Sequence, residues 1–278
     1  YLARPDSAQV ISKADLLLVV GSELAEVDLW REELGATAPM IRVDIDPTEL
    51  DHPAADLAIV SDAGRFLSDL AAALPEAGKS GWTATDVAAS KARWRAETDA
   101  ERPGIVPVCD ALRAAIPADT MIYSDMTQFA YAAKEVWPMD RPGHWHHPYG
   151  FGTLGYALPA AIGGAVARPG LPTLAIAGDY GFQYTVQELG TAVELGLPLP
   201  IILWDNAKLK EIEDAMVRAQ IAPKAVVARN PDFCALARAY GAHAAAPGTL
   251  EEMAQAVQQA FAADRPTLIH VSAGIAAG

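Results

Sequence analysis

Two short apolar runs, Asp15-Leu-Leu-Leu-Val-Val-Gly21 and Met40-Ile-Arg-Val-Asp-Ile-Asp46, have the length and character of buried parallel strands. Asp62 to Leu74 carries apolar residues at helical spacing and runs into Pro75-Glu-Ala-Gly-Lys-Ser-Gly81, a composition typical of a linker. This first stretch offers two or three strands, short of the roughly four to six of a common sheet, so it reads as part of a domain. The chain opens at Tyr1-Leu-Ala-Arg-Pro5, already inside a β/α pattern, which implies that something has been cut away upstream.

From Thr83 the pattern gives a helix, a strand near Thr120 to Ser124, a loop rich in Gly and His, and a helix from about Leu158. Strands follow at Thr173 to Ala177, Leu199 to Trp204, His243 to Ala246 and Thr267 to Val271, separated by helices. A helical pattern after Phe182 takes in Val186, Leu189 and Val193. Alternating strands and helices predict an α/β protein whose parallel sheet is covered on both faces. Ligands of such sheets bind at the carboxyl ends of the strands, so the residues just after each strand carry the chemistry.

Composition narrows the partners. The 278 residues are 51% hydrophobic, enough for a sizeable core. Lys and Arg number 21 against 35 Asp and Glu, a formal net charge of -14 that opposes nucleic acid and anionic membranes. No apolar run reaches membrane-spanning length and no signal-peptide pattern opens the chain, so a soluble, cytoplasmic protein is expected. Cys109 and Cys234 read as two buried thiols.

One strand end stands out chemically. Leu174-Ala-Ile-Ala177 leads into Gly178-Asp-Tyr-Gly-Phe182, placing Asp179 beside the start of a helix. A carboxylate there suits a hard cation, and the free N–H groups of the helix suit an anion, together a metal–diphosphate arrangement. The next strand ends in Asp205-Asn206, whose oxygens reach the same ion if the strands are neighbours. One carboxylate, one amide oxygen and a backbone carbonyl, completed by phosphate oxygens, match what Mg2+ requires.

The segment resembles the thiamine diphosphate enzymes, which carry Gly-Asp-Gly, some two dozen residues, then Asn-Asn. Here 24 residues separate Gly178-Asp179-Tyr180 from Asp205-Asn206. Tyr180 stands where the family has a small residue, and Asp205 replaces the first Asn. Tyr149-Gly-Phe-Gly-Thr-Leu-Gly-Tyr-Ala-Leu-Pro159 looks like the family's Gly-x-Gly-x-Met-Gly-x-x-Leu-Pro segment. Tyr123-Ser-Asp-Met-Thr-Gln-Phe129 resembles its first diphosphate loop. Val43-Asp-Ile-Asp-Pro-Thr-Glu-Leu50 is similar to the strand-to-helix turn of the central domain in acetolactate synthases and their decarboxylase relatives.

The resemblance implies a thiamine diphosphate- and Mg2+-dependent enzyme decarboxylating a 2-oxo acid. It divides the chain into residues 1–78 of a Rossmann-like central domain, a linker and helix at 79–106, and a thiamine diphosphate/Mg-binding domain at 107–278. It makes Asp179, Asn206 and the Lys208 carbonyl the metal ligands, and Thr127 and Gln128 phosphate donors. Gly152 supplies a carbonyl to the cofactor's 4'-amino group, Leu154 is the apolar residue that bends the cofactor, and Gly178, Tyr180 and Gly181 complete its contacts. The catalytic glutamate is expected in a pyrimidine-binding domain not represented here, contributed by a neighbouring subunit of a homodimer or homotetramer, so this chain alone is expected to turn over nothing. The basic run that accompanies FAD in acetolactate synthases is missing from Ser22-Glu-Leu-Ala-Glu-Val27, which implies no FAD and favours a decarboxylase of amino-acid-derived 2-oxo acids.

Several features have plainer readings. Asp125 is read as a cap of its local helix. His144, His146 and His147 are given a solvated or packing role, and Glu211, Glu213 and Asp214 a solvated helix face rather than a seat for a cationic substrate. Trp204 is a strand-end core residue. The alternatives are an acetolactate synthase-type carboligase, a nucleotide-binding α/β module built on Val20-Gly-Ser-Glu-Leu24, or a regulatory module whose site Tyr180 and Asp205 have degraded.

Overall fold

A computed structural model of the chain describes residues 2–75, 78 and 81–277. Tyr1 and most of the linker read at Pro75–Gly81 lie outside the described residues. The chain divides into two compact units, Tyr1–Trp94 and Arg95–Gly278, with helix Ala84–Glu101 running across the division.

The first unit holds a parallel sheet of β1 (Leu17–Val20), β2 (Met40–Asp44) and β3 (Leu57–Val60), in that order. The third strand was hidden in the sequence because Leu57-Ala-Ile-Val60 follows an irregular, Pro-containing stretch. Around the sheet are α1 (Ser7–Ile11), α2 (Glu26–Leu29) and α3 (Ala63–Ala73). Asp62 caps α3 by accepting a hydrogen bond from Arg65 N at 2.8 Å. Arg42 in β2 is 1% exposed, and its guanidinium donates to the carbonyls of His52, Pro53 and Ser22 at 2.8–3.0 Å. It therefore ties the loops flanking β2 to the sheet. Leu18, Leu57 and Val60 remain exposed on the outer strands.

The second unit is built on six parallel strands: β4 (Met121–Ser124), β5 (Trp145–His146), β6 (Thr173–Gly178), β7 (Pro200–Asp205), β8 (His243–Ala245) and β9 (Thr267–Ser272). Their spatial order is β5-β4-β6-β7-β9-β8. After α4 (Ala84–Glu101), the helices are α5 (Ile105–Ala115), α6 (Gln128–Val136), α7 (Ala157–Ala167), α8 (Asp179–Tyr184), α9 (Glu188–Glu194), α10 (Lys210–Arg218), α11 (Phe233–Ala239) and α12 (Leu250–Phe261).

Strand periodicity decides how these helices pack. Leu174, Ile176, Ile202, Trp204, Ile269 and Val271 face one side, where they meet apolar residues of α5, α6 and α12. Ala175, Ala177, Ile201, Leu203 and Leu268 face the other, against α7, α9 and α11. Both faces are buried, which is why the strands read as continuous apolar runs. The edge strand β5 was not foreseen, because two residues carry no periodicity. It pairs with β4, and Trp137 covers Trp145 edge-on at 5.3 Å. The helix foreseen after Phe182 is in fact two helices, α8 and α9, and Val186 lies in the turn between them.

Candidate functional site

Every position in β6 is buried, and the strand ends where Gly178 gives way to Asp179 at the start of α8. Its neighbours β4 and β7 end at Ser124 and Asp205, so three adjacent strand ends open onto one cavity of about 210 Å3. Thr127 and Gln128 come from the β4–α6 turn, and Gly152 and Leu154 from the glycine-rich loop. Gly178, Asp179, Tyr180 and Gly181 come from the β6–α8 turn, Asn206 and Lys208 from the segment after β7. These ten residues, singled out in sequence, all line the cavity. Met126, Tyr131 and Ile212 also line it and were not foreseen, because nothing in their spacing marks them.

Glycines let the three turns approach. Gly152 has φ +60° and Gly155 φ +88°, conformations that side chains rarely adopt. A Cβ on Gly181 would fall 2.1 Å from Asp125 Oδ2, and one on Gly178 would fall 3.1 Å from Thr127 Oγ1. Tyr180 is half-buried at the cavity wall and leaves the space between the turns open.

Asp125 does cap a helix, but not the local one. Only 1% exposed, its carboxylate accepts from Gly155 N at 3.1 Å, Tyr156 N at 2.7 Å and Ala157 N at 3.2 Å, at the start of α7. Burial pushes its carboxyl up from the ordinary range, against the pull of those three donors. The Tyr123–Phe129 segment and the glycine-rich loop are thereby locked together. The link spans some thirty residues of sequence, which is why local reading missed it.

Asp179 is 3% exposed. Its Oδ1 accepts from Tyr180 N at 3.0 Å and its Oδ2 from Asn230 Nδ2 at 2.7 Å. Burial raises its carboxyl above the usual value, the Asn230 bond opposes this, and the nearby Asp205 charge adds to the rise. Asn206 Oδ1 accepts from Lys208 N at 3.1 Å across Ala207, whose φ is +54°. A carboxylate and an amide oxygen on adjacent strand ends suit a hard divalent cation, and the energetic cost of burying Asp179 is one that such a cation would relieve. Among the described residues no cluster of three or more His, Cys, Asp or Glu side chains is placed to hold a metal, so phosphate or carbonyl oxygens would have to complete the shell.

Asp205 is held from three sides: Ala207 N at 2.9 Å and Asn230 Nδ2 at 2.8 Å on Oδ1, His270 Nε2 at 2.8 Å on Oδ2. The His270 bond holds its carboxyl below the usual range, against the cost of burial. Sequence reasoning missed Asn230 and His270, which lie 25 and 65 residues further along the chain and belong to no motif.

The acidic residues of α10, a helix with no buried position, are paired with basic side chains, and Glu211 also lines the cavity. Glu211 pairs with Arg102 at 3.1 Å, Glu213 with Lys208 at 3.0 Å, and Asp214 with Lys210. None of the three histidines lines the cavity. His144 Nδ1 lies 3.1 Å from the Pro142 carbonyl, and His146 stacks on Tyr123 at 4.9 Å. His147 Nδ1 lies 2.9 Å from Ser124 Oγ. Burial, reinforced by Lys134, pushes its pKa down to about 3. Trp204 is 2% exposed in the core, as are Cys109 (2%) and Cys234 (7%).

Residues 125–271 match the family described as the thiamine pyrophosphate enzyme C-terminal TPP binding domain, and residues 1–70 match the thiamine pyrophosphate enzyme central domain. A Pseudomonas aeruginosa protein named "Probable 2-ketoarginine decarboxylase" is 41% identical over 270 residues, spanning 95% of this chain and 48% of its own length. The large subunit of acetolactate synthase isozyme 2 from Escherichia coli is 30% identical over 268 residues, 94% of this chain and 48% of its own. The chain thus spans about half the length of the curated relatives it matches. In fold it follows a thiamine diphosphate-dependent 4-hydroxybenzoylformate decarboxylase from Rhodococcus jostii, with a TM-score of 0.76 at 24% identity over 95% of this chain and 50% of that one. No helix among the described residues is long and apolar enough to cross a membrane.

Proposed function

Because the chain belongs to the thiamine pyrophosphate enzyme family, we propose that it forms the diphosphate- and Mg2+-binding part of an enzyme that decarboxylates a 2-oxo acid. The observation that carries this reading is the convergence of ten residues from four separate segments on one cavity that includes a buried carboxylate. At about 210 Å3 the cavity is smaller than the roughly 300–1,000 Å3 of a complete small-molecule site, which supports its holding one end of the cofactor. The 41% identity to a protein named for 2-ketoarginine supports an amino-acid-derived 2-oxo acid over the two-substrate condensation of the acetolactate synthases.

Thiamine diphosphate, when bound, supplies the electron sink on which loss of CO2 from a 2-oxo acid depends. The part of this chain is to bind and orient. Asp179, Asn206 and the Lys208 carbonyl would hold Mg2+, while Thr127 and Gln128 would donate to the phosphates. The Gly152 carbonyl would accept a hydrogen bond from the cofactor's amino group and Leu154 would pack against the cofactor, with Gly178, Tyr180 and Gly181 lining the diphosphate end. No residue of this chain is assigned as the catalytic acid or base. That group is placed on a pyrimidine-binding domain of a neighbouring subunit, so the working form is a homo-oligomer.

Calorimetry with Mg2+ and thiamine diphosphate tests the assignment. If Asp179 holds the ion that binds the cofactor's phosphates, Asp179→Ala should weaken metal and cofactor together. Cofactor affinity unchanged in Asp179→Ala with Mg2+ present would sink it.

A further inference from the structure

The two carboxylates at the ends of β6 and β7 are joined by one amide. Asn230, in the segment between α10 and α11, donates through Nδ2 to Asp179 Oδ2 at 2.7 Å and to Asp205 Oδ1 at 2.8 Å. Its own Oδ1 lies 3.4 Å from Gln183 Nε2, which also donates to the Asp179 carbonyl at 3.0 Å. A primary amide has two N–H donors, so Asn230 meets both carboxylates with its full capacity.

The two carboxylates differ in what they have left to offer. Asp205 receives three donors, from Ala207 N, Asn230 and His270, and does not line the cavity. Asp179 receives two, one on each oxygen, and does line it. With about four lone-pair sites per carboxylate, Asp179 keeps more unused acceptor capacity than the nearly saturated Asp205, which lies within hydrogen-bonding reach of it. An ionised carboxylate only accepts, so His270 Nε2 carries the proton in its bond to Asp205. Without Asn230 between them, two negative groups would face each other at adjacent strand ends and turn apart.

We propose that Asn230 is a positioning residue. It bridges Asp205, anchored by His270 on β9, to Asp179, and so fixes the rotamer in which Asp179 presents its remaining lone pairs to the cavity. The inference rests on the reading that Asp179 holds the metal. Groups that orient a metal ligand in this way typically change metal affinity by about 10- to 100-fold when removed.

Mn2+ serves as the probe, titrated into the chain at saturating thiamine diphosphate and followed by electron paramagnetic resonance, with melting of the ligand-free protein measured in parallel. Asn230→Ala should raise the Mn2+ Kd by about 10- to 100-fold and broaden the spectrum of the ion that still binds, while the melting of the ligand-free protein stays close to the parent's, which general loosening of the fold would not allow. Asn230→Ser, which keeps one donor, should fall between parent and Asn230→Ala, and it stands in should the alanine variant fail to fold. Asp179→Ala separates the two levels of the argument. If Asp179→Ala abolishes Mn2+ binding while a folded Asn230 variant binds within about twofold of the parent with an unchanged spectrum, the positioning role is overturned and the metal site stands. If Asp179→Ala binds like the parent, or the parent takes up no Mn2+, the metal-site reading falls and the inference with it.

Discussion

Asp125→Ala removes the side-chain acceptor of three backbone N–H groups at the start of α7, those of Gly155, Tyr156 and Ala157. Each buried donor left without an acceptor costs about 1–3 kcal/mol. Against this, the variant no longer buries a carboxylate whose desolvation is visible in its raised pKa. The balance is a loss of about 2–4 kcal/mol, which for a unit the size of Arg95–Gly278 lowers Tm by about 5–15 °C. Asp125→Asn keeps one oxygen for two of the donors and turns an NH2 toward the third, so it should lose about half as much. Differential scanning calorimetry gives the Tm values. Hydrogen exchange at Gly155, Tyr156 and Ala157 shows whether the loss begins at the cap. A Tm for Asp125→Ala within about 2 °C of the parent, or a less stable Asn variant, would refute the capping account.

Gly164→Ala should destabilise by about 1–3 kcal/mol, because its Cβ would lie 2.4 Å from the Tyr123 ring; a chemical denaturation series in which Tyr123→Leu recovers part of the loss would locate the clash there. His147, pushed down to about 3, stays neutral in the fold at pH values where the unfolded chain protonates near 6.5. Its stabilising contribution is therefore present above pH 6.5 and is lost as pH falls toward 3, at no more than about 1.4 kcal/mol per pH unit. Urea midpoints measured between pH 7 and 4 should fall more steeply for the parent than for His147→Gln, and parallel profiles would contradict this.

The fold was legible where apolar runs were long. Leu174–Ala177 and Leu199–Trp204 announce interior strands, because a strand buried on both faces has no polar alternation to blur it. Trp145–His146 was not legible, since an edge strand of two residues is held by its partner and not by its own composition. Nor was the break at Val186, where apolar spacing continues through a turn. The cavity residues were legible because they sit in short motifs directly after strands. The groups that hold those motifs in place were not. Asp125 acts across thirty residues, and Asn230 and His270 reach Asp205 from later segments, contacts that tertiary folding alone creates.

The strand order has a consequence for how this protein is made. β9 lies between β7 and β8, although it is the last of the strands in sequence. Until β9 has been made, β7, with the sequence Pro-Ile-Ile-Leu-Trp-Asp, can pair with β6 but has no partner for its other edge. At synthesis rates of about 5–20 residues per second this apolar edge stays open on the order of ten seconds, long enough to recruit a chaperone or a neighbouring nascent chain. By the time β9 is made, all the residues lining the cavity, the furthest being Ile212, have already been made. They wait for Thr267–Ser272 to slot in beside β7 and bring His270 to Asp205.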